Sequence, residues 1–203
     1  MSELRNYVDH ENEIKEIING KIYYMAGTFL HAKIITRLGL KFNNYFISTN
    51  KNCMAYTESV NVYLDSENKK EFSVPDITII CDESKAFKRG YKGSPELVVE
   101  VVSRKTRTKD RGDKYDLFEK FGVKEYWIIE PRLKSIEQYV LENGRYKLKD
   151  AVALPNIDNT DEPMEEDEED NSTVIRPTMF EDLEIDLNDI FLKGDERFLK
   201  EDD

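Results

Sequence analysis

Five runs rich in β-branched and aromatic residues dominate the middle of the chain: MAYTESVNVYL (54–64), FSVPDITIIC (72–81), PELVVEVVS (95–103), EYWIIEP (125–131) and SIEQYVL (135–141). Such residues suit a pleated, half-buried surface, so each run reads as a strand. ENGRYKLK returns from the last run through an Asn143-Gly144 hairpin turn. Two stretches carry helical spacing instead. TFLHAKIITRLGLKFNNYF sets Leu30, Ile34, Leu38 and Phe42 on one face behind a Thr28 cap and predicts a helix of about four turns. TKDRGDKYDLFEKFG, between the third and fourth strands, predicts a second helix ending at Gly122. Upstream, EIINGKIYYMAG turns at Asn19-Gly20 into a short strand through Ile22 and Tyr24. With no internal repeat, this order predicts an α/β fold: a central mixed sheet flanked by helices.

A chain of 203 residues, 39% hydrophobic and 11% aromatic, can bury one full core. One domain is therefore expected, with residues 1–155 as its core. Residues 156–171 form an acidic loop, and 172–203 a segment that docks back and ends in a charged tail. The N-terminus is charged from its third residue and lacks the apolar stretch of a signal peptide, and no segment reaches the length of a membrane span. A cytoplasmic location is expected. Cys53 and Cys81 stand singly, with no CxxC and no nearby histidine, so buried free thiols are expected rather than zinc or a disulfide.

The net charge of −12 is unevenly placed. NIDNTDEPMEEDEEDN (156–171) holds nine acids and no base, with almost no apolar residue, and reads as a disordered surface loop. Lys85 to Lys114 instead carries ten Lys or Arg against four acids, a balance suited to phosphates and equally to a solvated loop. Downstream, RPTMFEDLEIDLNDIFL recovers apolar residues at Met179, Phe180, Leu183, Ile185, Leu187, Ile190 and Phe191. Phe118, Tyr126 and Trp127 are most economically core.

Two carboxylates stand out because they occupy strands. Asp76 follows Pro75 at the head of DITIIC, and Glu100 interrupts LVVEVV. On adjacent strands they can face the same way, and close together they repel unless a hard cation lies between them. Mg²⁺ fits, because it takes one or two carboxylates and fills its remaining positions with water and phosphate oxygens. Asp76 can equally cap a turn, and Glu100 can pair with a base inside the sheet.

PDITII with PELVVEVVS, followed by KDRGDKYDLFEKFGVKEYWIIEP, resembles the Uma-type restriction-endonuclease-like family, once a domain of unknown function, within the PD-(D/E)XK nuclease superfamily. EIINGKIYYMAG with His31 resembles the family's opening, and MFEDLEIDLNDIF its close. The resemblance implies a restriction-endonuclease-like fold and an endonuclease hydrolysing phosphodiester bonds in nucleic acid, DNA above all, with Mg²⁺ or Mn²⁺. Asp76 matches the aspartate of the PD motif and Glu100 the acid of (D/E)xK. Position 102 is Val102, so the lysine is missing there, and Lys114 on the following helix stands at the displaced place. The resemblance further implies metal ligation by Asp76, Glu100, the carbonyl of Val101 and Glu16, and a substrate held by the basic segment Lys85 to Arg111. A homodimer is compatible with it. His31 and Asp110 match family positions without an assigned role.

Ordinary readings stand beside these. Lys114 lies four residues after Asp110, the spacing of an exposed helical ion pair worth a few tenths of a kcal/mol. Glu16 can be a polar turn residue, and His31 a satisfied or capping one. The competing function is a nuclease-fold protein without activity that works through its acidic loop.

Overall fold

The computed structural model describes residues 15–18, 20–24, 27–65, 72–104, 106–155 and 172–199. It opens with strands β1 (Lys15–Ile18) and β2 (Lys21–Tyr24), then helix α1 (Phe29–Ser48). Strands β3 (Met54–Thr57), β4 (Val62–Tyr63), β5 (Ile77–Ile80), β6 (Ala86–Phe87), β7 (Gly90–Lys92) and β8 (Leu97–Val101) follow. After helices α2 (Arg107–Arg111) and α3 (Asp113–Phe121) come β9 (Glu125–Glu130), β10 (Ser135–Glu142) and β11 (Arg145–Ala153). Then come β12 (Val174–Ile175), β13 (Ile185–Asp186), the short helix α4 (Leu187–Ile190) and a 3-10 turn over Asp195–Leu199. The acidic stretch 156–171 lies outside the described residues, as does Asn19 of the first turn.

Six strands form the central sheet in the order β11-β10-β9-β8-β5-β3, and it is mixed as the element order predicts: β8 and β9 are parallel, every other pair antiparallel. A parallel pair needs a crossover of a dozen or more residues, commonly helical. Here the crossover carries α2 and α3 and returns them over the strand that bears Glu100. Side chains alternate across β8. Leu97, Val99 and Val101 pack with α1, whereas Val98 packs with Leu117 and Phe118 of α3. Glu100 shares the α3 side by the same alternation.

Helix α1 starts where Thr28 accepts a hydrogen bond from the His31 N–H, and it buries Leu30, Ile34, Leu38, Phe42 and Phe46. Each such side chain contributes about 1.5–3 kcal/mol on burial. The helix runs past the expected four turns to Ser48. Two contacts lock it to β3. Asn43 both donates to the Ala55 carbonyl (3.0 Å) and accepts from its N–H (2.8 Å), which occupies backbone groups of an edge strand. At Gly39 a Cβ would stand 3.0 Å from Thr57 Cγ2, so glycine permits the close approach. Phe180, Leu183, Ile185, Leu187 and Ile190 join the same core, whereas Met179 remains exposed. The Asn143-Gly144 turn has positive φ at both residues (51° and 77°), as a two-residue type I′ hairpin requires.

Several local expectations are corrected. The run 54–64 is not one strand: it breaks after Thr57 at Glu58, whose φ is 45°, and Val62–Tyr63 joins a separate three-stranded sheet with β6 and β7. The run 108–122 is not one helix. It breaks at Gly112 (φ −124°, ψ −94°), a position that requires glycine because a Cβ there would meet the Thr108 carbonyl oxygen at 2.8 Å. The end at Gly122 (φ 79°) is as predicted. Cys53 and Cys81 are not free thiols. The β3–β5 register pairs Met54 with Ile80, so the next residues out stand opposite each other and form a disulfide. Among the described residues no helix is long and apolar enough to cross a membrane.

Candidate active site

The β5–β8 register pairs Ile77 with Val99, and one step further Asp76 falls opposite Glu100 on the same face. Both are buried, and both line one cavity of about 30 Å³. That is room for an ion or a water or two. Its other walls come from His31 at the start of α1, Glu58 after β3, and Thr106, Lys109 and Asp110 around α2.

Each acid is held by specific partners. Asp76 Oδ2 accepts from the Val101 N–H at 2.6 Å and lies 3.0 Å from His31 Nε2. The other imidazole nitrogen, Nδ1, is buried without a hydrogen-bond partner and stands 3.6 Å from Glu58 Oε1. Burial disfavours a charged imidazole, but the hydrogen bond and charge of Asp76, helped by Glu58, raise the His31 pKa above its usual value. Gly27 leaves space for this pair, since a Cβ there would stand 3.1 Å from Nδ1.

Glu100 Oε1 accepts from the Lys114 ammonium at 2.6 Å, and Lys114 is also 2.9 Å from Glu16 Oε1. Lys114 is fully buried, so the exposed ion pair with Asp110 does not exist: after the break at Gly112, α3 carries Lys114 into the core with Leu117 and Phe118, while Asp113 stays toward the surface with Lys21. Burial opposes its charge, but Glu100 and Glu16 outweigh it and hold the ammonium protonated. Burial pushes Glu100 well above the usual carboxylate range; Lys114 opposes this, and Asp76 and Asp110 add to it. An additional cation beside Glu100 would favour its charged form.

Glu16 belongs to the surrounding frame rather than the cavity wall. It accepts from Ser73 Oγ (2.7 Å), the Val74 N–H (2.8 Å) and Lys109 (2.9 Å), besides its contact with Lys114. Burial would raise its pKa, but the two lysines prevail and lower it to about 2. Asp110 is buried with Oδ1 lacking a hydrogen-bond partner, and its carbonyl accepts from Tyr126 Oη at 2.9 Å. Burial lifts its pKa while Lys114 and Lys109 pull it down, with a net rise.

The structure thus gathers Asp76, Glu100, Val101, His31 and Asp110 at one cavity, with Lys114 and Glu16 directly behind. Sequence reasoning missed Glu58 and Lys109. Ligand atoms of His31, Glu58 and Asp76 lie within 4.8 Å of one another, a donor set of oxygen and imidazole nitrogen that suits a divalent cation. The basic segment is less free than its composition implies. Arg107 is bound to Glu130, Arg111 grips Glu137 with two nitrogens, and Lys109 and Lys114 serve the buried acids.

A family model described as Uma2, "putative restriction endonuclease", matches residues 1–174. An uncharacterized protein of Synechocystis sp. is 28% identical over 117 residues, which are 57% of this chain; the chain spans about 60% of the length of that relative. A crystal structure of a "putative nuclease belonging to DUF820" from Anabaena variabilis matches with a TM-score of 0.64 at 16% identity. The match covers 88% of this chain and 90% of that one, a likeness of fold.

Proposed function

The chain belongs to the Uma2 family, described as "putative restriction endonuclease", and from that premise we propose that it is a Mg²⁺- or Mn²⁺-dependent endonuclease hydrolysing phosphodiester bonds in DNA. Family and fold support a nuclease-like activity; the ion, the substrate and the roles below are our reading. The observation that carries it is the placement of Asp76 opposite Glu100 on a cavity of about 30 Å³, with the Val101 N–H and His31 at Asp76 and Lys114 at Glu100. Two buried carboxylates so placed repel, and a divalent cation relieves that repulsion.

Asp76, Glu100 and the Val101 carbonyl would hold the ion, with His31 and Glu58 closing the wall beside it. Bound there, it would acidify a water and neutralise charge on the scissile phosphate. The protein's own groups do the rest. The Val101 N–H and His31 fix Asp76 in one orientation. Lys114 holds Glu100 toward the cavity and supplies a fixed positive charge behind it, where the phosphoryl group becomes more negative on the way to the pentacovalent state. Glu16 clamps Lys109 and Lys114, so their ammonium groups are placed before substrate arrives. In this reading His31, in its neutral form with Nε2 at Asp76 and Nδ1 without a hydrogen-bond partner, would take the proton of the attacking water.

A cytoplasmic location goes with a DNA substrate. Reducing conditions there would open the Cys53–Cys81 bridge, which lies outside the walls of the cavity. The test is a melting-temperature series with Mg²⁺ and Mn²⁺ alongside nicking of a supercoiled plasmid. Either ion should raise the melting temperature of the parent but not of Asp76→Asn, and only the parent should nick. Nicking that survives exhaustive chelation would sink the metal-dependent reading.

A further inference from the structure

The cavity of Asp76 and Glu100 adjoins a second cleft, of about 70 Å³, that shares His31, Val101 and Thr106 with it. The cleft continues between the turn that follows β8, the end of β9, and the C-terminal segment at Phe198. Two guanidinium groups, Arg104 and Arg132, line it. Both are exposed, and neither has a carboxylate partner among the described residues.

That freedom is unusual in this part of the molecule, where Arg107, Lys109, Arg111 and Lys114 are all engaged by acids. The carboxylate on the cleft wall, Glu130, does not repel an anion at full strength because Arg107 sits 2.5 Å from it. The aromatic wall is committed as well. Phe198 packs against Phe29 at 5.1 Å, with Arg197 at 4.6 Å and Lys33 at 4.9 Å from its ring centre, so its faces are covered. What the cleft offers is therefore positive charge without a stacking surface.

We propose that this cleft binds a second phosphate of the substrate strand, the phosphodiester next to the scissile one, between Arg104 and Arg132. The proposal rests on the phosphodiesterase reading of the adjoining cavity and adds the direction in which the strand leaves it. A planar guanidinium matches phosphate oxygens with two parallel hydrogen bonds, and two of them lining one cleft past the ends of the neighbouring strands β8 and β9 can hold one phosphate without reading a base. The contact sets register and affinity, and sequence selection has to come from elsewhere.

The test uses the full chain with Ca²⁺ in place of Mg²⁺ and a fluorescent DNA oligonucleotide titrated over a salt series. Arg104→Ala combined with Arg132→Ala should weaken binding by about tenfold or more at low salt. Because each phosphate lost lowers the slope of log affinity against log salt by about 0.9, the slope should become shallower by up to about one for a shared phosphate. Arg→Lys at both positions should restore most of the slope, since a charge returns, and less of the affinity, since the fork does not. The replaced side chains are exposed, so an unchanged melting temperature serves as the folding control. Parental affinity and slope in the double alanine variant, with a parent that binds and cleaves DNA, would overturn the subsite alone. A parent that neither binds nor cleaves DNA would overturn the subsite together with the phosphodiesterase reading.

Discussion

Lys114 donates to Glu100 at 2.6 Å with its side chain wholly buried, so the pair is an internal ion bridge between a crossover helix and the strand it crosses. Removing one member of a buried pair strands the other, at a cost of about 3–5 kcal/mol. Lys114→Met should accordingly lower the unfolding free energy, read from urea titration at pH 7, by an amount of that order, with a lower midpoint. In conditions where it remains folded, its cleavage rate should fall by about two to four powers of ten. Adding Glu100→Gln should recover part of the lost stability and none of the rate. A parental unfolding midpoint for Lys114→Met would contradict the buried bridge.

Asp76→Asn and Glu100→Gln should each abolish metal-dependent cleavage, by about three powers of ten or more, while circular dichroism stays parental. Ca²⁺ should still support DNA binding without turnover, because it is larger and less exacting in geometry than Mg²⁺. Single-turnover cleavage of a labelled duplex measures this directly, and near-parental rates in either variant remove that residue from the site.

Glu16 links stability to pH. Its carboxyl is lowered from 4.5 to about 2 in the folded protein because its lysine partners outweigh burial. A depressed acid stabilises the fold above its unfolded pKa and loses that contribution as pH falls through the folded one. The stabilisation, about 3 kcal/mol, should therefore be complete above about pH 5 and disappear toward pH 2. Glu100 acts in the opposite sense, since its raised pKa makes ionisation costly in the folded state. Denaturant titrations between pH 3 and 7 should give a flatter profile for Glu16→Gln than for the parent; identical profiles would show that Glu16 does not feel its lysines.

With nine acids and no base, the stretch from Asn156 to Asn171 should compete as a polyanion with nucleic acid for the protein's cations. Deleting Asp158 to Asp170 leaves β11 and β12 intact and should tighten DNA binding, most visibly at low salt. Equal affinity for the two proteins across a salt series would make the stretch a bystander.

The candidate site was partly legible because Asp76 and Glu100 break apolar strand runs, and a break of that kind can be read locally. Four of the five runs and the Asn143-Gly144 turn were legible from local pattern as well, whereas the run 54–64 breaks at Glu58. What escaped depends on contacts between distant segments. The Asp110–Lys114 spacing fits one helix face, but whether that face meets water or Glu100 is decided by the break at Gly112 and by the parallel crossover. Glu58 reaches His31 only because the chain takes a left-handed turn after β3. The cysteine bridge follows from the β3–β5 register, and 28 residues separate its ends. The basic segment looked available for substrate because its acidic partners, Glu16, Glu130 and Glu137, lie elsewhere in the sequence.

The ion pair of Lys109 with Glu16 spans 93 residues. Hairpins such as β10–β11 close short loops and can form early, whereas this contact must wait for both ends of a long loop to meet. A chain emerging from synthesis therefore carries Asp76 and Glu100 for some time before the frame around them is complete. Completing that frame is a late step, although the contacts of Lys33 and Arg37 with Asp195 close longer loops still.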